Sequence, residues 1–292
     1  MENDKIHCSV GVMAYNEEKN IAAVLAGLLN QRLKHVVVDE IIVVSSGSTD
    51  KTDIIVQEFA EKHDKIKLIV QNERKGKSSA INLFMKNAQN DILVVESADT
   101  VPASEAVEKL VRPFRNQRVG MTGGRPIPCN DDSDFVGFSV QLLWRLHHKM
   151  AKFKPKLGEM VAFRKVFCSI PEKSAVDEAS IEALITAAKL ECLYVSDAFV
   201  YNMGPTNICD FIKQRKRIAI GHLWLKDNQD YSVTSNQACL LFGLSVQECI
   251  RSPKDIAKII MVAKLEMFCR LLGFIEYRFR NANPFIWEMV DR

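Results

Sequence analysis

No stretch of this 292-residue chain approaches the ~18–20 consecutive apolar residues that a membrane-spanning helix needs, so the chain is not expected to cross a bilayer. No Cys-x-x-Cys pair occurs either. The eight cysteines stand singly, at Cys8, Cys129, Cys168, Cys192, Cys209, Cys239, Cys249 and Cys269. That usage argues against a zinc site or a disulfide framework and for buried thiols in a reducing cytoplasm. Little excess charge of either sign is present: a net charge of +3 is too small to argue for a nucleic-acid partner, and none is expected. The opening Met1-Glu2-Asn3-Asp4-Lys5 is too polar for a targeting segment. Gly-x-Gly-x-x-Gly follows no apolar run, and Gly76-Lys77-Ser78 has Gln71 where a P-loop places its first glycine. A dinucleotide fingerprint and a P-loop NTPase are thereby excluded. Internal repeats and low-complexity tracts are also missing.

What is present is a core-forming composition, 47% hydrophobic and 26% charged, enough for one large domain or two small ones. An apolar strand from Val10 runs into Ala14-Tyr15-Asn16-Glu17, where Asn16 reads as the N-cap of a helix carrying Ile21, Val24, Leu25, Leu28 and Leu29. Glu40–Ser46 is a second strand, followed by a Gly47-Ser48-Thr49-Asp50 turn and a helix with Ile54, Ile55 and Phe59. Further strands fall at Ile66–Val70, Ile92–Val95 and Val119–Gly123, with helices at Ser78–Ala88 and roughly 104–115. Near-continuous apolar strands alternating with helices predict a parallel sheet covered on both faces. Beyond residue 130 the pattern changes. Long helices are expected at Phe135–Met150 and Ala179–Lys189, and short strands at Leu193–Val195 and Phe199–Tyr201. From Ile208 onward the chain reads as nearly all helical, punctuated by Gly243, Pro253 and Pro284.

Several segments carry chemistry. Tyr15 and Glu17 put an aromatic ring and a carboxylate at a strand's carboxyl end, where an open α/β sheet takes its ligand. Asp99, just past the fourth strand, is a candidate ligand for Mg²⁺ or Mn²⁺, hard cations that take few protein carboxylates and complete their shells with diphosphate oxygens and water. The alternative is that it starts an Asp99-Thr100-Val101-Pro102 turn. Asp177-Glu178 offers a general base for a hydroxyl acceptor, and also fits a capping box opened by Ser174. Gln214-Arg215-Lys216-Arg217 sets three cations on consecutive helical positions, either a solvated face or a partner for a departing anion.

Taken in order, Ala14-Tyr15-Asn16-Glu17, Ser46-Gly47-Ser48-Thr49-Asp50, Gly76-Lys77-Ser78-Ser79-Ala80-Ile81-Asn82 and Ser97-Ala98-Asp99 resemble the motifs of family 2 glycosyltransferases. Those motifs are an (A/P)-(Y/F/C)-N-E strand end, a D-G-S-x-D turn, a G-K-x-x-A-(L/I)-N helix start and a D-x-D metal motif. Asp177-Glu178 and Gln214–Arg217 look like the family's E-D and Q-x-x-R-W motifs, so the resemblance spans about residues 6–222. It implies a GT-A type α/β fold, with a mostly parallel central sheet, flanking helices and a helical C-terminal extension. Residues 1–230 are the expected transferase domain, divided into a nucleotide-sugar half (1–130) and an acceptor half (131–230), and 231–292 the extension.

The implied reaction is inverting transfer of a sugar from a nucleotide-diphosphate sugar to a hydroxyl of a glycan, lipid or polyprenyl-linked acceptor. The resemblance sets Ala14, Tyr15 and Glu17 against the nucleoside, with Tyr15 on the base, and Lys75, Gly76 and Lys77 near base and phosphates. Ala98 joins this nucleotide-sugar group. Ser46 stands where the family often has an aspartate that reads base and ribose, which leaves a uridine preference open. Ser97 replaces the first aspartate of D-x-D, leaving Asp99 as the metal ligand, with Glu96 directed to the other face of its strand. Gln214, Arg215 and Arg217 are implied at the diphosphate or acceptor, and Ile218, in place of tryptophan, speaks against a processive polymer synthase. For the base, alignment back from Leu193–Val195 favours Glu178, whereas residue type favours the shorter Asp177, which is preferred. Two other classes share parts of this pattern. A sugar nucleotidyltransferase needs a glycine-rich G-x-G-(S/T)-R loop that is absent here, and a non-catalytic sugar-nucleotide-binding or scaffold protein accommodates the reduced D-x-D.

The last helical segment, Asp255–Arg280, has Ile256, Ile259, Ile260, Ala263, Met267, Leu271 and Phe274 on one face. Met261, Val262, Leu265, Phe268 and Leu272 extend that face almost around the helix, with Lys258, Lys264, Arg270, Arg278 and Arg280 interspersed. A helix this apolar needs a cover. The candidates are the protein's own core, a homodimer partner, or the cytoplasmic face of a membrane, which would make the protein peripheral.

Overall fold

The computed structural model of the chain describes residues 5–234, 238–280, 282, 283, 285 and 286; Pro284 and the Cys239 side chain lie outside the described residues. Two compact units are present. The first is drawn from Met1–Pro126, Leu157–Lys173 and Asp177–Asn202, and the second from Ile127–Lys156, Ser174–Val176 and Met203–Arg292.

The first unit carries one eight-stranded sheet. Its strands are β1 (Ile6–Ala14), β2 (Val36–Ser46), β3 (Ile66–Gln71), β4 (Ile92–Ser97), β5 (Thr100–Pro102), β6 (Val119–Pro128), β7 (Val161–Arg164) and β8 (Glu191–Asn202). The spatial order is β3-β2-β1-β4-β7-β6-β8-β5. β1 pairs in parallel with both β2 and β4, and β2 with β3. The chain therefore steps outward from β1 to β3 and returns on the other side of β1 with β4. The carboxyl ends of β1 and β4 flank this reversal, which is where open α/β sheets bind ligands.

Alternation along the strands divides the apolar residues between two faces. Val10, Val12 and Ala14 pack with Ile41 and Val43 under α1 (Ile21–Leu29) and α4 (Ala106–Val111). Met13, Ile42, Val44, Leu93 and Val95 pack under α3 (Lys77–Asn87) and α6 (Asp177–Ala187). Burial on both faces is why these strands read as unbroken apolar runs. α2 (Thr52–Lys62) completes the helices of the first unit.

The sheet is mixed. β7 runs antiparallel to β4 and β6, and β5 antiparallel to β8. β5 and β7 are three and four residues long, too short to show a period, and neither is expected from sequence. Leu193–Val195 and Phe199–Tyr201 belong to one strand, β8, of 12 residues. The expected 104–115 helix is α4 followed by a 3-10 turn, Arg112–Arg115, in which Pro113 lacks the amide that would continue the helix. Asn16 is not the N-cap of α1, because Asn20 holds that place. Of the seven cysteines described, all free thiols, only Cys8 and Cys269 are buried; Cys129, Cys168 and Cys209 are exposed, against the expectation of buried thiols.

The second unit is helical: α5 (Phe135–Phe153), α7 (Ile208–Gln229), α8 (Ala238–Arg251) and α9 (Ile256–Arg280). Asp134 caps α5 by accepting from the Gly137 amide at 2.7 Å, and Asn207 caps α7 by accepting from the Asp210 amide at 3.0 Å. Phe138, Leu142, Leu146 and Met150 of α5 form a core with Leu244, Ile259 and Val262. Charge joins α7 to α9: Arg215 donates two 2.7 Å hydrogen bonds to Glu266, and Lys216 meets Glu276 at 2.7 Å. Burial acts to raise the Glu266 pKa, but Arg215 and Arg270 outweigh it and hold this carboxyl at about 2.

Candidate active site

The loops at the carboxyl ends of β1 and β2 are tied to each other. Asn16 adopts a left-handed conformation (φ 52°), and its Oδ1 accepts from the Thr49 amide at 2.8 Å. The Asn16 amide donates to Ser48 Oγ at 3.1 Å, the Glu17 amide to Thr52 Oγ1 at 2.8 Å, and the Glu18 amide to Asp50 Oδ2 at 3.0 Å. The amide and aspartate of these two motifs thus build the loop, leaving Tyr15 half-buried at its lip. The Arg74 guanidinium lies over the Tyr15 ring, 3.7 Å from its centroid, a cation–π contact that sequence reading missed.

The third loop is drawn in by Gly47. With φ +72°, a Cβ at Gly47 would come within 2.7 Å of the Arg74 amide nitrogen. The Lys75 amide donates to Ser46 Oγ at 3.4 Å, and Ser46 is buried while Lys75 is exposed. Gly76, also at positive φ (87°), turns the chain into α3. Asn82 then clamps α3 to the loop after β7: its Oδ1 accepts from the Ile170 amide at 2.8 Å and its Nδ2 donates to the Ile170 carbonyl at 2.9 Å.

Lys77, the first residue of α3, reaches the first turn of α6. Its ammonium lies 2.9 Å from Asp177 Oδ2 and 2.7 Å from Glu178 Oε1. Two motifs separated by 101 residues thereby form one partly buried triad. Burial alone would depress the lysine pKa, but the two carboxylates hold it above the ordinary lysine range. Burial, and then the neighbouring Glu178 charge, raise the Asp177 pKa despite Lys77. The two acids differ in access: the Asp177 side chain is 4% exposed and that of Glu178 18%.

At the end of β4, the Ala98 amide donates to the Met13 carbonyl at 3.1 Å, and Met13 pairs with Ser97. Ala98 is buried and Asp99 half-buried, in the two-residue turn between β4 and β5. Glu96 is wholly buried and accepts from Thr100 Oγ1 at 2.5 Å. Burial pushes its pKa up to about 8, with the Thr100 hydroxyl opposing and the Glu159 charge adding. Among the described residues no group of three or more His, Cys, Asp or Glu side chains could enclose a metal ion. A single accessible carboxylate suits a hard cation that takes its remaining ligands from a diphosphate and water.

Gln214, Arg215 and Arg217 lie on α7 of the helical unit, where Arg215 is engaged by Glu266 as described. Of the expected residues, the sheet unit brings together Ala14, Tyr15, Glu17, Ser46, Lys75, Gly76, Lys77, Ala98, Asp99, Asp177 and Glu178 at the strand ends and the helix starts that follow them.

The profile of the family described as "Glycosyl transferase family 2" matches residues 9–182. Among curated proteins, "Probable glycosyltransferase YdaM" of Bacillus subtilis is 38% identical over 126 residues, which are 40% of this chain and 29% of that protein. Beta-monoglucosyldiacylglycerol synthase of Nostoc sp. is 32% identical over 129 residues, 44% of this chain and 27% of that one. The chain thus spans under a third of the length of these relatives. Among solved structures, a mannosyltransferase from Pyrobaculum calidifontis in complex with GDP-Man and Mn²⁺ superposes with a TM-score of 0.62 at 20% identity, over 96% of this chain and 82% of that one.

Proposed function

This chain belongs to the family 2 glycosyltransferases, and on that premise we propose that it moves a sugar from a nucleotide-diphosphate sugar to an acceptor hydroxyl with inversion at the anomeric carbon. The observation that supports this best is the Lys77–Asp177–Glu178 triad, which joins the start of α3 to two carboxylates at the start of α6. The donor's base lies against Tyr15 and its phosphates toward Lys75, Gly76 and Lys77. Asp99 would hold a divalent cation jointly with the diphosphate, and that cation would neutralise charge on the leaving group.

Glu178 takes the proton of the acceptor hydroxyl. Its exposure favours it over Asp177, whose 4% exposed side chain has little access to a substrate, and this reverses the preference drawn from residue type. The acceptor oxygen forms the new bond to the anomeric carbon while the bond to the diphosphate oxygen breaks. Lys77 fixes Glu178 through its 2.7 Å contact. The diphosphate and acceptor roles of Gln214, Arg215 and Arg217 stand in this proposal on the family resemblance alone.

Release of nucleoside diphosphate from a panel of nucleotide sugars, each with glycan, lipid and lipid-linked acceptors, tests the reading. Turnover is expected for at least one combination. Saturable donor binding with no release in any combination would establish the non-catalytic alternative instead.

α9 supports peripheral contact with an anionic membrane as part of the same proposal. Ile256, Ile260, Met267, Leu271 and Phe274 line one face of the helix, flanked by Met261, Phe268, Ile275 and Phe279, and all nine are 39–77% exposed. The exposed charges on this face are Lys264 and Arg278, whereas Glu266 and Glu276 pair with Arg215 and Lys216. Two such faces packed together would oppose cation to cation, whereas anionic headgroups match them. No described helix is long and apolar enough to cross a membrane. The protein is expected to float with anionic liposomes at low salt, and the Lys264→Glu/Arg278→Glu double variant to stay behind. Wild-type protein that remains wholly in the soluble fraction would exclude the contact.

A further inference from the structure

The antiparallel ladder of β4 and β7 runs from Ile92 opposite Arg164 to Val95 opposite Val161. Ser97 stands two residues beyond the last pair on β4, and Glu159 two residues before β7 begins, so the ladder, if continued, leads Glu159 toward the serine that takes the place of the first aspartate of D-x-D. Glu159 has φ 60°, a left-handed conformation that a long non-glycine side chain rarely adopts without a reason in its surroundings. Its Oε1 accepts from Asn202 Nδ2 at 3.3 Å, and Asn202 is the ladder partner of Thr100, the residue after Asp99. Glu159 is therefore placed by β4 on one side and by the β5–β8 pair on the other. The Oδ1 of the same Asn202, a buried side chain, has no hydrogen-bond partner. An acceptor oxygen beside a carboxylate without a matching donor suits an oxygen-seeking cation.

We infer that Glu159 supplies, from β7's side of the strand pair, the second carboxylate of the Asp99 cation site that Ser97 does not provide. The inference rests on the reading of Asp99 as a cation ligand. Moving a carboxylate from the end of β4 to the segment leading into the adjacent β7 keeps its charge at the same end of the sheet while changing the residue that bears it.

Mn²⁺ uptake by the full chain, followed through the loss of the free-ion electron paramagnetic resonance signal, tests this in the presence of uridine diphosphate and of guanosine diphosphate in turn. Glu159→Gln preserves the shape and the Asn202 contact. It is expected to weaken Mn²⁺ binding by at least about tenfold, and Asp99→Ala by more. Adding Ser97→Asp to Glu159→Gln should restore binding to within about threefold, which a purely structural role for Glu159 would not allow. If Asp99→Ala loses Mn²⁺ while Glu159→Gln binds as wild type does, the inference falls and the Asp99 reading stands. Loss in Glu159→Gln without rescue by Ser97→Asp also overturns the inference. If wild type takes up no Mn²⁺ with either nucleotide, or if Asp99→Ala changes nothing, the Asp99 reading falls and Glu159 with it.

Discussion

Glu178→Gln is expected to lower kcat by about 10²–10⁴-fold while leaving donor affinity nearly unchanged, the signature of a lost general base. The amide keeps the side chain's size and still offers an oxygen to Lys77, but it cannot take the acceptor's proton. Asp177→Asn should cost less in rate. Its carboxyl is buried against Lys77, and that substitution mainly loosens the positioning of Glu178. Single-turnover rates for the two variants, measured beside their donor dissociation constants, separate the roles. Equal and minor losses would return the pair to helix capping, and a larger loss in Asp177→Asn would hand the proton to the residue that the sequence preferred.

The second large effect concerns stability. Lys77→Met should destabilise the fold by about 3–5 kcal/mol at pH 7, the usual cost of leaving a buried charge without its partner. Its pH dependence follows from Asp177, whose folded-state carboxyl already titrates above its ordinary 3.8 because burial and Glu178 outweigh Lys77. An acid raised in this way binds its proton more tightly folded than unfolded. Its share of stability is therefore full below pH 3.8 and declines as the pH climbs through the folded value. Removing Lys77 removes the main force that lowers that value, so the decline becomes deeper. Urea unfolding of variant and wild type side by side should show the deficit at pH 7 shrinking toward pH 4. A deficit of the same size at both pH values would mean that lost packing, and not the unpaired carboxylates, accounts for it.

The parallel half of the sheet was readable because β1, β2 and β4 are buried on both faces and so appear as unbroken apolar runs. β5 and β7 were not, since three or four residues carry no period. Asn16 misled because a polar residue before a helical pattern resembles an N-cap. Its side-chain Oδ1 instead accepts from the Thr49 amide, 33 residues away. Residue types pointed to Asp99, Asp177 and Glu178, yet nothing in one dimension joins Lys77 to the last two. Glu159 was invisible for a related reason: an acid in a loop has no spacing to betray it, and only the β4–β7 register gives it a place. Ser97 was the one available signal, a gap in a motif that had to be filled from elsewhere.

The hydrogen bonds from Asn16, Glu17 and Glu18 to Ser48, Thr49, Asp50 and Thr52, together with the close approach of Gly47 to Arg74, have a consequence for engineering. Three loops far apart in the chain behave as a single part. Exchanging one of them for a relative's, to change which donor is taken, would leave backbone amides on the other two without their partners. The smallest unit that can be transplanted is the set: the turn after β1, the turn after β2 and the segment leading into α3, moved together.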